Sequence, residues 1–130
     1  MADFTAKRID EMETTFGGSV SKARAELGVT SVGMSVEQLP ADYDGYPAHD
    51  HTHDGQEEIF IVLAGSGVIS LDDEEVAIDP ETMVRVGPGT KRKVAAGPDG
   101  VRLLVLGAVP GKAYEPPEWG ELGAADPIDG

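Results

Sequence analysis

Short runs of β-forming residues, separated by turn residues, follow one another from residue 29 to residue 109. In the first run Val32, Met34 and Val36 recur at every second position, which places them on one face of a half-buried strand. Glycine, proline and acidic residues interrupt the pattern at short intervals, and no interval has room for a crossover helix. The pattern predicts about eight short antiparallel strands in a sandwich or barrel.

Three details of this pattern predict local structure. Gly65-Ser66-Gly67 predicts a turn between a strand at 58–63 and a strand at 68–71. Residues 92–94 and 101–106 are expected to form two further separate strands. In the strand at 82–86, Val84 and Val86 make a better core than their neighbours, so Arg85 is expected to face solvent.

The two ends of the chain differ from this central region. Residues 1–28 carry only weak helical spacing and are expected to form an irregular N-terminal segment, with the β-barrel at 29–109. Residues 110–130 are rich in proline, glycine and acidic residues and are expected to form an extended acidic tail. Tyr114 and Trp119 indicate that this tail docks on the barrel or on a neighbouring subunit.

Composition narrows the function classes. A chain of 130 residues suits one domain, and a formal charge of −14 repels phosphate backbones and anionic lipid headgroups. We therefore expect neither nucleic acid nor a membrane as a partner. The absence of cysteine excludes disulfides and thiolate chemistry, and residues 1–10 do not resemble a signal peptide. A cytoplasmic location is the expectation.

A histidine cluster carries the chemistry. His49, His51 and His53 recur at spacing two, and on a strand such side chains point to the same face. Neutral imidazole is the commonest protein ligand of transition metals, and a turn at Asp54-Gly55 would bring Glu58 back beside the histidines. Two imidazoles and one carboxylate with open coordination positions are typical of non-haem iron sites.

The spacing around these residues resembles the first motif of the cupin family. Gly45, His51, His53, Glu58 and Gly65 are separated by five, one, four and six residues, and every fixed position of that motif is present. The resemblance implies an antiparallel jelly-roll β-barrel in which His51, His53 and Glu58 bind a divalent metal inside the barrel. It covers roughly residues 30–108.

The second cupin motif is degenerate. Aligned on Gly89, the chain places Arg92 where the resemblance implies a fourth-ligand histidine, and arginine cannot ligate a metal. Three arrangements are open. Arg92 turns outward or grips an anionic substrate beside a metal held by His51, His53 and Glu58, with His49 or water as fourth ligand. Alternatively Arg92 points inward and pairs with Glu58 without metal, or the histidines lie at the barrel mouth with no ligand.

Two functions follow from these alternatives. The first is a metal-dependent enzyme, of oxygenase or isomerase type, that acts on a small organic molecule with Fe, Mn, Ni or Zn. Its metal ligands would come from His49, His51, His53 and Glu58, while Arg92 and Gln56 would contact the substrate. The second is a non-catalytic sensor or binding module with a degenerate metal site. Tyr43 and Tyr46 line the mouth or simply pack, and a homodimer is expected.

Overall fold

Two long strands, β4 (Glu57–Leu71) and β7 (Arg92–Ala108), run through the whole sheet in this computed structural model, which describes residues 1–128. They pair antiparallel, with Glu57 opposite Ala108 at one end and Leu71 opposite Arg92 at the other. The remaining strands are β1 (Thr14–Thr15), β2 (Val20–Ser21), β3 (Gly33–Leu39), β5 (Glu74–Ile78) and β6 (Met83–Val86).

The two long strands hold the fold together because each has different neighbours along its length. The first part of β4 lies between β7 and β6, and its last part lies between β7 and β5. The second half of β7 also pairs with β3, which continues through β2 to β1 at the edge. All pairs are antiparallel, which confirms the predicted jelly-roll class, although strand pairing within residues 1–128 does not close the sheet into a complete ring.

The turn predicted at Gly65-Ser66-Gly67 is wrong, since β4 passes through it without a break. The register with β7 shifts on either side of Gly65, which marks bulges that bend the strand. Gly65 has a φ of 78°, and a Cβ there would lie 2.1 Å from the carbonyl oxygen of Gly100. The glycine therefore serves a bend with close backbone approach. The two strands predicted at 92–94 and 101–106 are likewise one strand, β7.

The main core lies between the bent halves of the sheet. Val84 and Val86 are buried in it and Arg85 is exposed, as predicted. The other fully or nearly buried members of this core are Leu39, Phe60, Val62, Ile69, Ile78, Val94, Val101, Leu103 and Val105.

A second, smaller core covers the outer face of β3. Val36 packs there against Met12 and against Ala23 of α1 (Ala23–Leu27), with Met34 at its margin. The predicted apolar face of this strand therefore packs against the N-terminal segment. Because side chains alternate along a strand, the opposite face of β3 is turned toward the barrel interior.

The tail docks on the N-terminal segment of its own chain. Trp119 packs edge-on against Phe16 with ring centroids 4.9 Å apart. The backbone N–H of Gly17 donates to the Asp126 carboxylate over 2.8 Å, and the buried Lys22 ammonium donates to the carbonyl of Glu121 over 2.8 Å. Residues 129 and 130 of the predicted tail lie outside the described residues. Across the described part of the chain, no helix is both long and apolar enough to cross a membrane.

Candidate functional site

The histidine segment does not form the strand that its spacing suggests. Only His49 pairs, through an isolated antiparallel bridge to Arg92. The chain then turns, and the backbone N–H groups of Asp54 and Gly55 both donate to the carbonyl of His51, over 3.2 Å and 2.7 Å. The three imidazole rings remain neighbours, with centroids 5.3 Å and 5.6 Å apart along the series. Their side chains do not share one face.

The residues that meet inside the barrel are His49, His51 and Glu58. One ligand atom from each lies within 4.8 Å of the others. The side chain of His53 is 71% exposed and instead belongs to an outer group with His51 and Asp54. The structure thus places His49 beside Glu58 at the position that the motif spacing implied for His53.

Hydrogen bonds set the orientation of both inner rings. Nδ1 of His49 lies 3.0 Å from the carbonyl oxygen of Pro47, and Nδ1 of His51 lies 3.1 Å from the Asp54 carboxylate. These oxygens can only accept, so each Nδ1 carries a hydrogen, and in the neutral ring each Nε2 offers a lone pair. Both rings therefore present an electron pair on the atom that is free to ligate.

The Nε2 atom of His51 is the unusual atom of the site. It is buried and has no hydrogen-bond partner in the described chain, although the Glu58 carboxylate lies 3.4 Å away. A lone pair facing a carboxylate oxygen is unfavourable unless a cation lies between them. The contact with Glu58 accordingly raises the pKa of His51, although partial burial opposes the rise. A proton or a metal ion would satisfy this position.

Arg92 points inward and clamps Glu58. Its side chain is 0% exposed and its Nη1 donates to Glu58 Oε1 over 2.7 Å. Its Nη2 donates to the carbonyls of Gly87 and Thr90 over 2.6 Å and 2.8 Å. Burial raises the pKa of Glu58, but the neighbouring His51 imidazole and the hydrogen bond from Arg92 outweigh it and hold that pKa below its usual range. Glu58 is therefore ionised at neutral pH.

Two cavities meet at this group of residues. The larger, of about 520 Å³, reaches from His49, His51 and Glu58 toward β3 and the tail. The smaller, of about 310 Å³, opens past His53, Asp54 and Gln56. Both are lined in part by His51, Glu58 and Trp119, so a ligand in either would reach the same residues. The Gln56 amide donates to Asp54 over 3.0 Å and so supports the carboxylate that orients His51.

The sequence pattern missed Glu37, which lines the larger cavity from the inner face of β3. Burial raises its pKa to about 7, the negative charge of Glu58 adds to the rise, and the neighbouring Ser35 hydroxyl opposes it. Tyr46, also in the cavity wall, has a pKa raised well above its ordinary value by burial first and by both carboxylates next. The available signal was the alternation of Ser35, Glu37 and Leu39 opposite the Met34 and Val36 face.

Comparison with known proteins agrees with this architecture. The sequence profile of the cupin domain matches residues 42–107, just over half of the chain. The chain belongs to the cupin family. No curated protein sequence gives a significant match.

Solved cupin structures resemble it at low identity. A cupin protein from Bacteroides fragilis has a TM-score of 0.70 and 22% identity, and the match covers 90% of this chain and 93% of that one. A predicted oxalate decarboxylase from Thermotoga maritima has a TM-score of 0.53 and 19% identity over 59% and 65% of the two chains. The DMSP lyase DddQ from Ruegeria pomeroyi has a TM-score of 0.54 and 23% identity over 70% and 45%. At this identity the likeness establishes the fold alone.

This cupin therefore carries the first family motif in an altered spatial arrangement. Glu58 occupies its expected place at the start of β4, and His51 faces it. The place implied for a fourth-ligand histidine is taken by a buried guanidinium whose recorded hydrogen bonds all go to protein oxygens. Arg92 lines neither of the two cavities, so its geometry does not favour the expected contact with a substrate.

Proposed function

We propose that this cupin binds a divalent transition metal through His49, His51 and Glu58, and that a small organic molecule occupies the adjoining cavity. The observation that carries the proposal is the buried Nε2 of His51, which faces Glu58 and has no hydrogen-bond partner in residues 1–128. A proton or a metal ion would satisfy an atom in that position, and the neighbouring His49 and Glu58 would supply the further ligands of a metal.

The residues fit a metal in three respects. Two imidazoles and a carboxylate form a donor set that suits Fe, Mn, Ni or Zn. Asp54 holds His51 through Nδ1, which is the second-layer support that metal-ligating histidines use. Glu58 accepts from Arg92 through Oε1 only, and no hydrogen bond recorded in the described chain engages its Oε2. That oxygen is left for an ion.

The proposed roles of the side chains follow from their positions. His49 and His51 would supply nitrogen ligands and Glu58 an oxygen ligand, while Arg92 would hold Glu58 ionised and in place. A bound metal with open positions would act as a Lewis acid toward a substrate oxygen. The cavity of about 520 Å³ has the size of ordinary small-molecule sites.

Metal titration of site variants tests this proposal. We expect about one equivalent of Co²⁺ or Zn²⁺ per chain by calorimetry and mass spectrometry, with loss of binding in His51→Ala. His49→Ala should weaken the affinity by roughly tenfold or more, as the loss of a ligand does. His53→Ala is the matched control, because its side chain is exposed, and it should stay within about threefold of the parent protein.

The opposite ranking of the variants would refute the ligand set. If His53→Ala abolished binding and His49→Ala did not, the spacing of the family motif would describe the site better than this geometry. If neither metal bound to the parent protein, the proposal of a metal centre would be abandoned.

A second candidate is a non-catalytic, metal-free binding module. The buried ion pair between Arg92 and Glu58 favours this module, because the guanidinium already neutralises the carboxylate without a metal. Oxygen uptake and substrate loss in metal-loaded protein, measured with small carboxylates, phenols and sugars, separate the two. Turnover supports the enzyme, and ligand binding in the presence of a chelator without turnover supports the module.

The homodimer and the cytoplasmic location stay predictions. Light scattering measures the oligomeric state.

A further inference from the structure

The larger cavity has an unusual lining for this chain. The sequence contains one tryptophan, three tyrosines and three phenylalanines, and four of these line this one cavity. They form an aromatic wall, defined here as Phe16, Tyr43, Tyr46 and Trp119. Aromatic side chains concentrated in a cavity offer ring faces whose negative potential attracts cations.

The charges in the cavity also favour a positively charged ligand. Glu37 and Glu58 both line it, and none of its described lining residues is a lysine or arginine. Arg92, which is not among the lining residues of this cavity, neutralises the charge of Glu58. Glu37 has no such partner, since no salt bridge recorded within residues 1–128 includes it. An anionic ligand would face two carboxylates here, so the anionic substrate considered in the sequence analysis is disfavoured.

The position of Glu37 is set by the fold. It sits in the middle of β3, held opposite Leu103 of β7 and Val20 of β2, so its side chain cannot leave the cavity without disrupting the sheet. Its pKa of about 7, raised chiefly by burial, is the response of a carboxylate that lacks a cation. A proton is one cation that meets this need, and a ligand can supply another.

We propose that this cavity selects a small organic cation, a quaternary or protonated amine, held between the Glu37 carboxylate and the aromatic wall. This inference deepens the proposed function and rests on it only in taking the cavity to be the ligand site. The proposed metal ligands His49, His51 and Glu58 line the same cavity, and Glu37 with the aromatic wall would receive the cationic group of the molecule.

Choline and its neutral carbon isostere, 3,3-dimethylbutan-1-ol, test the proposal because they share shape and differ in charge. The single tryptophan, Trp119, lies in the aromatic wall, so its fluorescence reports on occupancy. We expect choline to change the fluorescence saturably and to bind roughly tenfold more tightly than the isostere. Calorimetry on the same samples provides an independent affinity.

The variant Glu37→Gln keeps the size of the side chain and removes its charge. It should weaken choline binding by roughly tenfold and leave the affinity for the isostere unchanged. Glu75→Gln is the matched control, because Glu75 is an exposed glutamate on β5, and it should bind choline like the parent protein. Circular dichroism and the unfolding midpoint show that each variant is folded.

The outcomes separate this inference from the metal proposal. If the isostere or acetate binds as tightly as choline, or if choline fails to bind, the cation inference is wrong even when Co²⁺ titrates to one equivalent. If choline binds through Glu37 while no metal binds, the metal centre is wrong and the cation site stands. Equal loss of choline binding in both glutamine variants would indicate a nonspecific charge effect and would also overturn the inference.

Discussion

Replacement of Arg92 by methionine is the sharpest test of how the site is held together. The guanidinium is 0% exposed and donates to three oxygen atoms, one on each of Glu58, Gly87 and Thr90. Methionine fills much of the same volume and offers no donor. The substitution therefore removes the hydrogen bonds and the charge while keeping most of the packing.

The magnitude follows from the groups left behind. Two carbonyls lose their Arg92 donor, which costs about 1 kcal/mol each, and Glu58, 14% exposed, loses its counter-charge. Breaking a buried ion pair by removing one partner costs about 3–5 kcal/mol. Glu58 keeps its contact with His51 and borders a cavity, so the pair itself should cost about 3 kcal/mol, the lower end of that range. With the two carbonyls, the expected loss in the free energy of unfolding is about 5 kcal/mol. That is a large share of the roughly 5–15 kcal/mol by which a typical domain is stable.

Urea unfolding in the presence of a chelator at neutral pH measures this loss, with the slope of the transition as a check on the two-state assumption. Arg85→Met is the control, because the Arg85–Glu57 pair is 65% and 38% exposed and should contribute about 1 kcal/mol or less. Added Zn²⁺ should stabilise Arg92→Met more than the parent protein, since a metal ion would again answer the charge of Glu58. A loss below about 1 kcal/mol in Arg92→Met would refute the reasoning.

Three further outcomes are expected. Gly65→Ala should lower the free energy of unfolding in urea by more than about 2 kcal/mol, because its Cβ would lie 2.1 Å from the carbonyl oxygen of Gly100. Gly89→Ala is the control, because the space around Gly89 is open, and it should change that free energy little. Protonated Glu37 contributes stability that is full below about pH 4.5 and is lost as the pH rises through its pKa of about 7. In ligand-free protein, Glu37→Gln should therefore be more stable than the parent protein by about 1–3 kcal/mol near pH 8. That advantage should disappear near pH 5. Trp119→Ala should release the tail from Phe16, seen as faster limited proteolysis within 110–128, while Glu118→Ala, exposed in the same turn, should not.

Local pattern was sufficient for the class of fold. Alternating apolar residues and closely spaced turn residues predicted an antiparallel β-protein, and the burial of Val84 and Val86 with Arg85 exposed confirms the alternation. The turn at Gly65 was predicted incorrectly because a glycine with positive φ serves a bulge as well as a turn, and the choice depends on what lies opposite. Here the opposite strand is β7, and its backbone at Gly100 comes too close for any side chain.

In the candidate site, too, local sequence pattern predicts some features and tertiary contacts decide the others. Motif spacing selected the histidines and Glu58 as a candidate site, and the structure brings His49, His51 and Glu58 together. Spacing could not decide which histidine joins Glu58, because that depends on the bridge between His49 and Arg92 and on the turn that begins at His51. One pairing contact with a distant strand thus places His49, rather than His53, beside Glu58.

Residue pattern alone settles the periodicity, the charge and the residue types of this cupin, because these depend on neighbours in the chain. The inward direction of Glu37 depends on the N-terminal segment, which covers the Val36 face of β3 and leaves the other face to the barrel. The burial of Arg92 against Glu58 depends on residues 34 positions apart in the chain. Such contacts are decided only when the sheet bends, since burial and charge pairing are properties of the assembled core rather than of any one strand.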